Sequence, residues 1–156
     1  MDDVQHHQPR VFRDLATLYL NSSFPEPKCH TRVTERVFKA HFKLSSLETA
    51  KVWYKMRLLL ENTNCVYKTN DTPPQSVSWD NNALPEHLLW TLHYMKTYLT
   101  EDQTAVLFGT TNKTFRKYFW AMVHFLSLLC SDLVSTNNNN TSLLTIDMYF
   151  VAISNF

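Results

Sequence analysis

A single glycine, Gly109, serves all 156 residues of this chain. Proteins average ~7% glycine, and all-β folds spend it on their many tight turns. So sparse a supply fits long helices joined by polar loops, and fits a sandwich or barrel poorly. Its position is equally informative. Gly109 falls within residues 100–120, four residues after Ala105 and six before Phe115. The spacing reads as two helices and a turn. The first helix needs a small residue where the second crosses it, and the turn needs a residue that tolerates positive φ. Phe115 and Tyr118 are placed to plug back into the first helix. Lys113, Arg116, Lys117 and Trp120 then form the outer face, offered to solvent or to DNA.

Local signals extend the helical reading along the chain. Val11 to Leu20 is an apolar fragment in an otherwise polar start, and Phe24-Pro25-Glu26-Pro27 breaks any helix before it. Residues 33–43 suit a short helix with Val37, Phe38 and Phe42 on one side. Ser45-x-x-Glu48 is a capping box, and Leu47, Ala50, Trp53, Tyr54 and Leu58 follow at helical spacing to about Asn62. Residues 63–83 are polar and contain Pro73-Pro74, a linker or surface loop. Pro85 suits a first helical turn, with Leu88, Leu92, Met95 and Leu99 as an apolar stripe. Thr100-x-x-Gln103 is a second capping box, and Thr111 or Asn112 caps the next helix. That helix is expected to bury Phe115, Phe119, Met122, Leu126 and Leu129 and to run to about Asp132. Asn137 to Asn140 is a low-complexity break.

The expected fold is therefore all-α: a small helical domain with an embedded tri-helical helix-turn-helix and disordered or loosely docked termini. Residues 1–31 are expected to be mostly flexible and 32–62 a basic helical segment. Residues 63–83 form the loop, 84–132 the helix-turn-helix domain, and 133–156 the asparagine-rich break and tail.

Net charge is only +1, so bulk charge implies no partner. The distribution is uneven: residues 1–27 carry four acids against Arg10 and Arg13, while residues 28–61 carry eight Lys/Arg against three Glu. A basic middle serves as a nucleic-acid face or as a solvated helix surface. The set Lys39, Lys43, Lys51, Lys55 and Arg57 fits the solvated surface better. Cys29, Cys65 and Cys130 make neither a zinc pattern nor a disulfide framework, which suits a reducing compartment. The apolar run Tyr118 to Cys130 is too short for a bilayer span, so no membrane segment is expected.

Several short signatures occur in order: Phe38-Lys39-Ala40-His41-Phe42-Lys43-Leu44-Ser45, Trp53, Leu84-Pro85-Glu86-His87-Leu88-Leu89-Trp90-Thr91-Leu92, Lys96-Thr97-Tyr98, Leu107-Phe108-Gly109 and Lys113-Thr114-Phe115-Arg116-Lys117. Together, from Val37 to Leu129, they resemble the amino-terminal region of eukaryotic PIF/Harbinger-like transposases. The resemblance implies a helix-turn-helix that grips transposon DNA in the nucleus, ahead of a DDE-type nuclease domain with three metal-binding carboxylates. The chain departs from the family after that point. Only 27 residues follow Leu129, and the only acids beyond Asp102 are Asp132 and Asp147. Two-metal chemistry needs several carboxylates to hold ions ~3.5–4 Å apart. The nuclease activity is therefore not carried over, and the chain reads as the DNA-binding part alone, truncated or separately encoded.

The expected function is a non-catalytic module for double-stranded DNA, without metal or cofactor. Lys113, Arg116 and Lys117 would contact phosphates or guanine edges; Thr111, Asn112 and Thr114 lie where bases or phosphates are reached. Trp120, one turn after Arg116, packs on a neighbouring helix or stacks on a base. Three cations are few, which calls for a homodimer, further basic helices or a separate nuclease subunit. His87, His93, His124 and Cys130 lack same-face ligand spacing. Glu86, Glu101 and Asp102 sit at helix starts, where the dipole favours acids. The rival reading is a protein-interaction module, or a decayed transposon fragment without activity. In it the stripe Phe115, Phe119, Leu126 and Leu129 continues into a partner.

Overall fold

The computed structural model describes residues 3–23, 32–63 and 84–136, and these are all-α. The helices are α1 (Asp3–Ser23), α2 (Glu35–Phe42), α3 (Ser46–Thr63), α4 (Pro85–Thr97), α5 (Glu101–Leu107) and α6 (Asn112–Thr136). The loop expected over 63–83, the Asn137–Asn140 break and the tail lie almost wholly outside the described residues. Apolar side chains from all six helices meet in one core, so the basic segment 32–62 and the segment 84–132 share their interior.

Most of residues 1–31, expected to be flexible, is instead the helix α1. Phe12, Ala16 and Leu20 recur every four residues and are buried, which explains why it docks. Phe12 meets Trp53 of α3 edge-on, ring centroids 6.3 Å apart. Polar contacts lock the same helix to the start of α2. Arg13 donates from Nε and Nη2 to the Val33 carbonyl at 3.1 and 3.0 Å. The Val33 N–H donates to the Thr17 hydroxyl oxygen at 2.9 Å. Both backbone groups of Val33 are thus satisfied by α1 side chains.

Thr34 caps α2, its hydroxyl accepting from the Val37 N–H. Phe38 and Phe42 are buried, but Val37 is exposed. The Ser45–Glu48 box opens α3: the Ser45 N–H donates to Glu48 Oε2 at 2.7 Å and the Glu48 N–H to Ser45 Oγ at 3.2 Å. Hydrogen bonding from Ser45 to the carboxylate, the backbone N–H first and then the side chain, holds the Glu48 carboxyl below its usual range. The inner face of α3 is Ala50, Trp53 and Met56, whereas Leu47, Tyr54 and Leu58 point outward. The expected stripe was rotated because it followed hydrophobic size and ignored Thr49, which is buried with its hydroxyl donating to the Ser45 carbonyl.

Helix α4 is the central rod. His87 to His93 are all buried, and α1, α2, α5 and α6 all pack on it. The stripe expected out to Leu99 stops early, because Tyr98 takes the left-handed conformation at φ 53° and ends the helix. Asn112–Thr136 is one continuous helix, reaching past the expected Asp132.

Candidate nucleic-acid interface

The turn between α5 and α6 is built from local chemistry. Thr100 and Gln103 satisfy each other: the Gln103 N–H donates to the Thr100 hydroxyl at 3.2 Å, and the Thr100 N–H to Gln103 Oε1 at 3.0 Å. At the far end the Thr110 N–H reaches the Ala105 carbonyl at 2.9 Å and the Gly109 N–H reaches the Val106 carbonyl at 3.1 Å. This is the bonding pattern of a Schellman closure, with Gly109 left-handed at φ 64°. A Cβ on Gly109 would meet nothing within 4 Å. Glycine is therefore needed for its backbone conformation, and close helix approach plays no part at this position. Ala105 is buried and Thr111 caps α6, its hydroxyl oxygen accepting from the Thr114 N–H at 3.2 Å.

The two rings expected to plug into α5 meet aromatic rings of α4. Phe115 packs beside Tyr94 and Trp90 of α4, with centroids 5.4 and 6.4 Å away. Tyr118 stacks on the His87 ring, also of α4, at 3.8 Å and 14°. The turn's own anchor is Phe108, edge-on to Tyr19 at 4.9 Å and to His93 at 5.4 Å. Phe115, Phe119 and Leu129 are consumed in the chain's own core, so they do not form a stripe awaiting a partner.

The outer side of α6 carries the residues singled out from the sequence. Thr111, Lys113, Arg116 and Trp120 are exposed; Asn112, Thr114 and Lys117 are half-buried. They begin at the capped first turn, where backbone N–H groups also point outward. Four of them hydrogen-bond within the chain: the Thr111 hydroxyl donates to that of Thr114 at 2.9 Å, and Arg116 and Asn112 bind acids. Arg116 Nε donates to Glu101 Oε2 at 2.9 Å, and Asn112 donates from its amide to Asp102. The acids opening α5 thus lie across the turn from the face proposed for an anion. Lys117 Nζ sits 5.6 Å from the centre of the Tyr118 ring. Trp120 is 46% exposed and touches Phe119 edge-on. Glu86, the third acid at a helix start, accepts from the Tyr19 hydroxyl at 2.9 Å. Burial first, and then this bond, raise the Tyr19 phenol to about 12.

Behind this face lie two neutral imidazoles. Burial lowers His87 to about 4, and its Nδ1 accepts from the Leu84 N–H at 3.2 Å. Burial, helped by the charge of nearby His41, lowers His93 to about 4. The His41 and His93 rings stack 6.0 Å apart. Among the described residues no three His, Cys, Asp or Glu side chains gather as a metal site. Nor is any described helix long and apolar enough to cross a membrane.

Comparison with protein-family models, curated proteins and solved structures returns no match.

Proposed function

We propose that this chain is a non-catalytic DNA-binding module in which α5, the Gly109 turn and α6 act as a helix-turn-helix. The start of α6 enters the major groove of duplex DNA. Lys113 and Lys117 neutralise phosphates, and Thr111 and Thr114 lie at the groove edge. Asn112 and Arg116 reach the nucleic acid by exchanging Asp102 and Glu101 for phosphate or base acceptors. The single observation behind this reading is the two-sided character of α6. Its inner side, Phe115 and Phe119, is sealed on α4, while its outer side presents Lys113 and Arg116 from the first turn onward.

The resemblance to PIF/Harbinger-like transposases supports the same reading and a nuclear location. With few cations, two of these modules side by side, or one beside a separate nuclease subunit, would supply the charge that tight binding needs. Selecting bound duplexes from a random pool at two salt concentrations tests the proposal. A defined sequence enriched at both supports it; recovery of no duplex above a protein-free control rejects it.

The interaction-module reading is less favoured, since Phe115, Phe119 and Leu129 lie in the core and Leu126 is half-buried against it.

A further inference from the structure

A second cationic site lies away from the α6 face, where the middle of α1 meets the approach to α2 and the start of α3. The cleft there measures about 350 Å³ and includes Arg10, Arg13, Arg32, Glu35 and Ser46 in its lining. That volume falls at the small end of ligand clefts, ~300–1,000 Å³. The three guanidinium groups come from two separate stretches of chain and converge because Val33 is clamped onto α1.

The geometry points to a phosphate-binding site in this cleft. Arg13 is held by a neutral acceptor, the Val33 carbonyl, at 3.1 and 3.0 Å. It is oriented by that carbonyl and also pairs with Glu35, whose Oε1 lies 3.6 Å from Nε. Arg32 pairs with Asp14, donating to Oδ1 from Nε at 2.8 Å and from Nη2 at 2.5 Å. A guanidinium has five N–H donors in a rigid fork, so donors remain on both side chains. Arg10 is exposed and makes no hydrogen bond or ion pair within the described residues. Three arginines therefore meet two carboxylates, Glu35 on the cleft wall and Asp14 at Arg32, and the arginines are in excess by one. Glu35 already accepts the Ser46 N–H at 3.0 Å and the Ser46 hydroxyl. Its carboxylate is shared between Arg13 and the first turn of α3, so the charge offered to an incoming anion comes chiefly from Arg10, with the remaining N–H donors of Arg13 and Arg32 beside it. A tetrahedral anion with several acceptor oxygens fits such a set better than a planar carboxylate, because three forks approach it from different directions. Free phosphate and the phosphodiester of a nucleic-acid backbone share this chemistry.

Inorganic phosphate titrated into the full chain, with backbone amide resonances followed by NMR, tests the site. Sodium chloride at matched ionic strength is the reference. Saturating shifts at Arg10, Arg13, Arg32 and Ser46 are expected, absent with chloride. Arg10→Ala leaves the Val33 clamp intact and is expected to weaken phosphate binding roughly three- to ten-fold. Glu35→Gln removes the opposing charge and is expected to tighten it. Shifts that do not saturate, or an Arg10→Ala affinity equal to the parent's, overturn the proposal. A duplex arm separates the sources. Duplex that moves the cleft resonances makes the ligand a nucleic-acid backbone; duplex that leaves them still, while phosphate saturates them, assigns the cleft to a free phosphate. Phosphate saturation with no duplex effect anywhere leaves the cleft standing and rejects the DNA reading of α6.

Discussion

Arg116 Nε lies 2.9 Å from Glu101 Oε2, joining the second turn of α6 to the first turn of α5 across the glycine turn. The Arg116 side chain is 59% exposed and that of Glu101 24% exposed. An ion pair this open contributes little to stability, ~0–1 kcal/mol. Its larger consequence is competition, because the carboxylate holds a donor that DNA would use. Glu101→Gln should leave the melting temperature nearly unchanged and raise duplex affinity. Thermal unfolding and a gel-shift titration on the same variant check both halves. A large loss of stability, or weaker DNA binding, would show that the pair is structural.

Gly109 is the second point of leverage. Its φ of 64° suits glycine, and a Cβ there meets only open space. Gly109→Ala should therefore cost only the left-handed conformation, roughly 1–2 kcal/mol. Gly109→Asn should cost less, since asparagine tolerates that region better. Urea unfolding of the three proteins gives the order Gly, Asn, Ala. An alanine variant as stable as the parent would contradict the turn described above.

The buried histidines make stability depend on pH. His87 and His93 titrate near 4 in the fold, and an unfolded histidine near 6.5. Between those values the unfolded chain binds more protons, so stability is complete above about pH 6.5 and declines as pH falls toward 4. Each histidine contributes at most ~1.4 kcal/mol per pH unit within that window. Denaturant unfolding at pH 7 and pH 5 should differ accordingly, and His93→Phe should reduce the difference. Equal stability of the parent at both values would contradict the burial of these rings.

Core and surface positions on α6 should separate cleanly. Phe115 is fully buried against α4, and Phe115→Ala should cost ~3–5 kcal/mol. Lys113 is exposed, and Lys113→Ala should change stability by less than ~0.5 kcal/mol. Equilibrium unfolding decides between these outcomes and their reverse.

Features governed by near neighbours in the chain were legible in the sequence. The Ser45–Glu48 and Thr100–Gln103 boxes, Pro85 at a helix start and the left-handed Gly109 all depend on groups within a few residues of one another. Features governed by contacts distant in sequence were not. The docking of α1 depends on Val33 and Trp53, well outside its own stretch. Its spacing Phe12, Ala16, Leu20 was nonetheless present, and a strict periodicity count would have marked it as helical. The Glu101–Arg116 pair spans fifteen residues and exists only because the turn folds the start of α6 back beside the start of α5. Glu86, Asp102 and Glu101 suit the helix dipole by position, but the side chains they hold, Tyr19, Asn112 and Arg116, lie ten or more residues away.

The salt dependence of duplex binding, measured by gel shift for the parent and for the Lys113→Ala, Lys117→Ala double variant, bears most directly on the proposed function. Each phosphate contact contributes ~0.9 to the slope of log affinity against log salt. The parent should bind with a clear negative slope, and the double variant should bind more weakly with the slope reduced by about 2. A parent that binds no duplex at low salt, or a double variant with an unchanged slope, would contradict it.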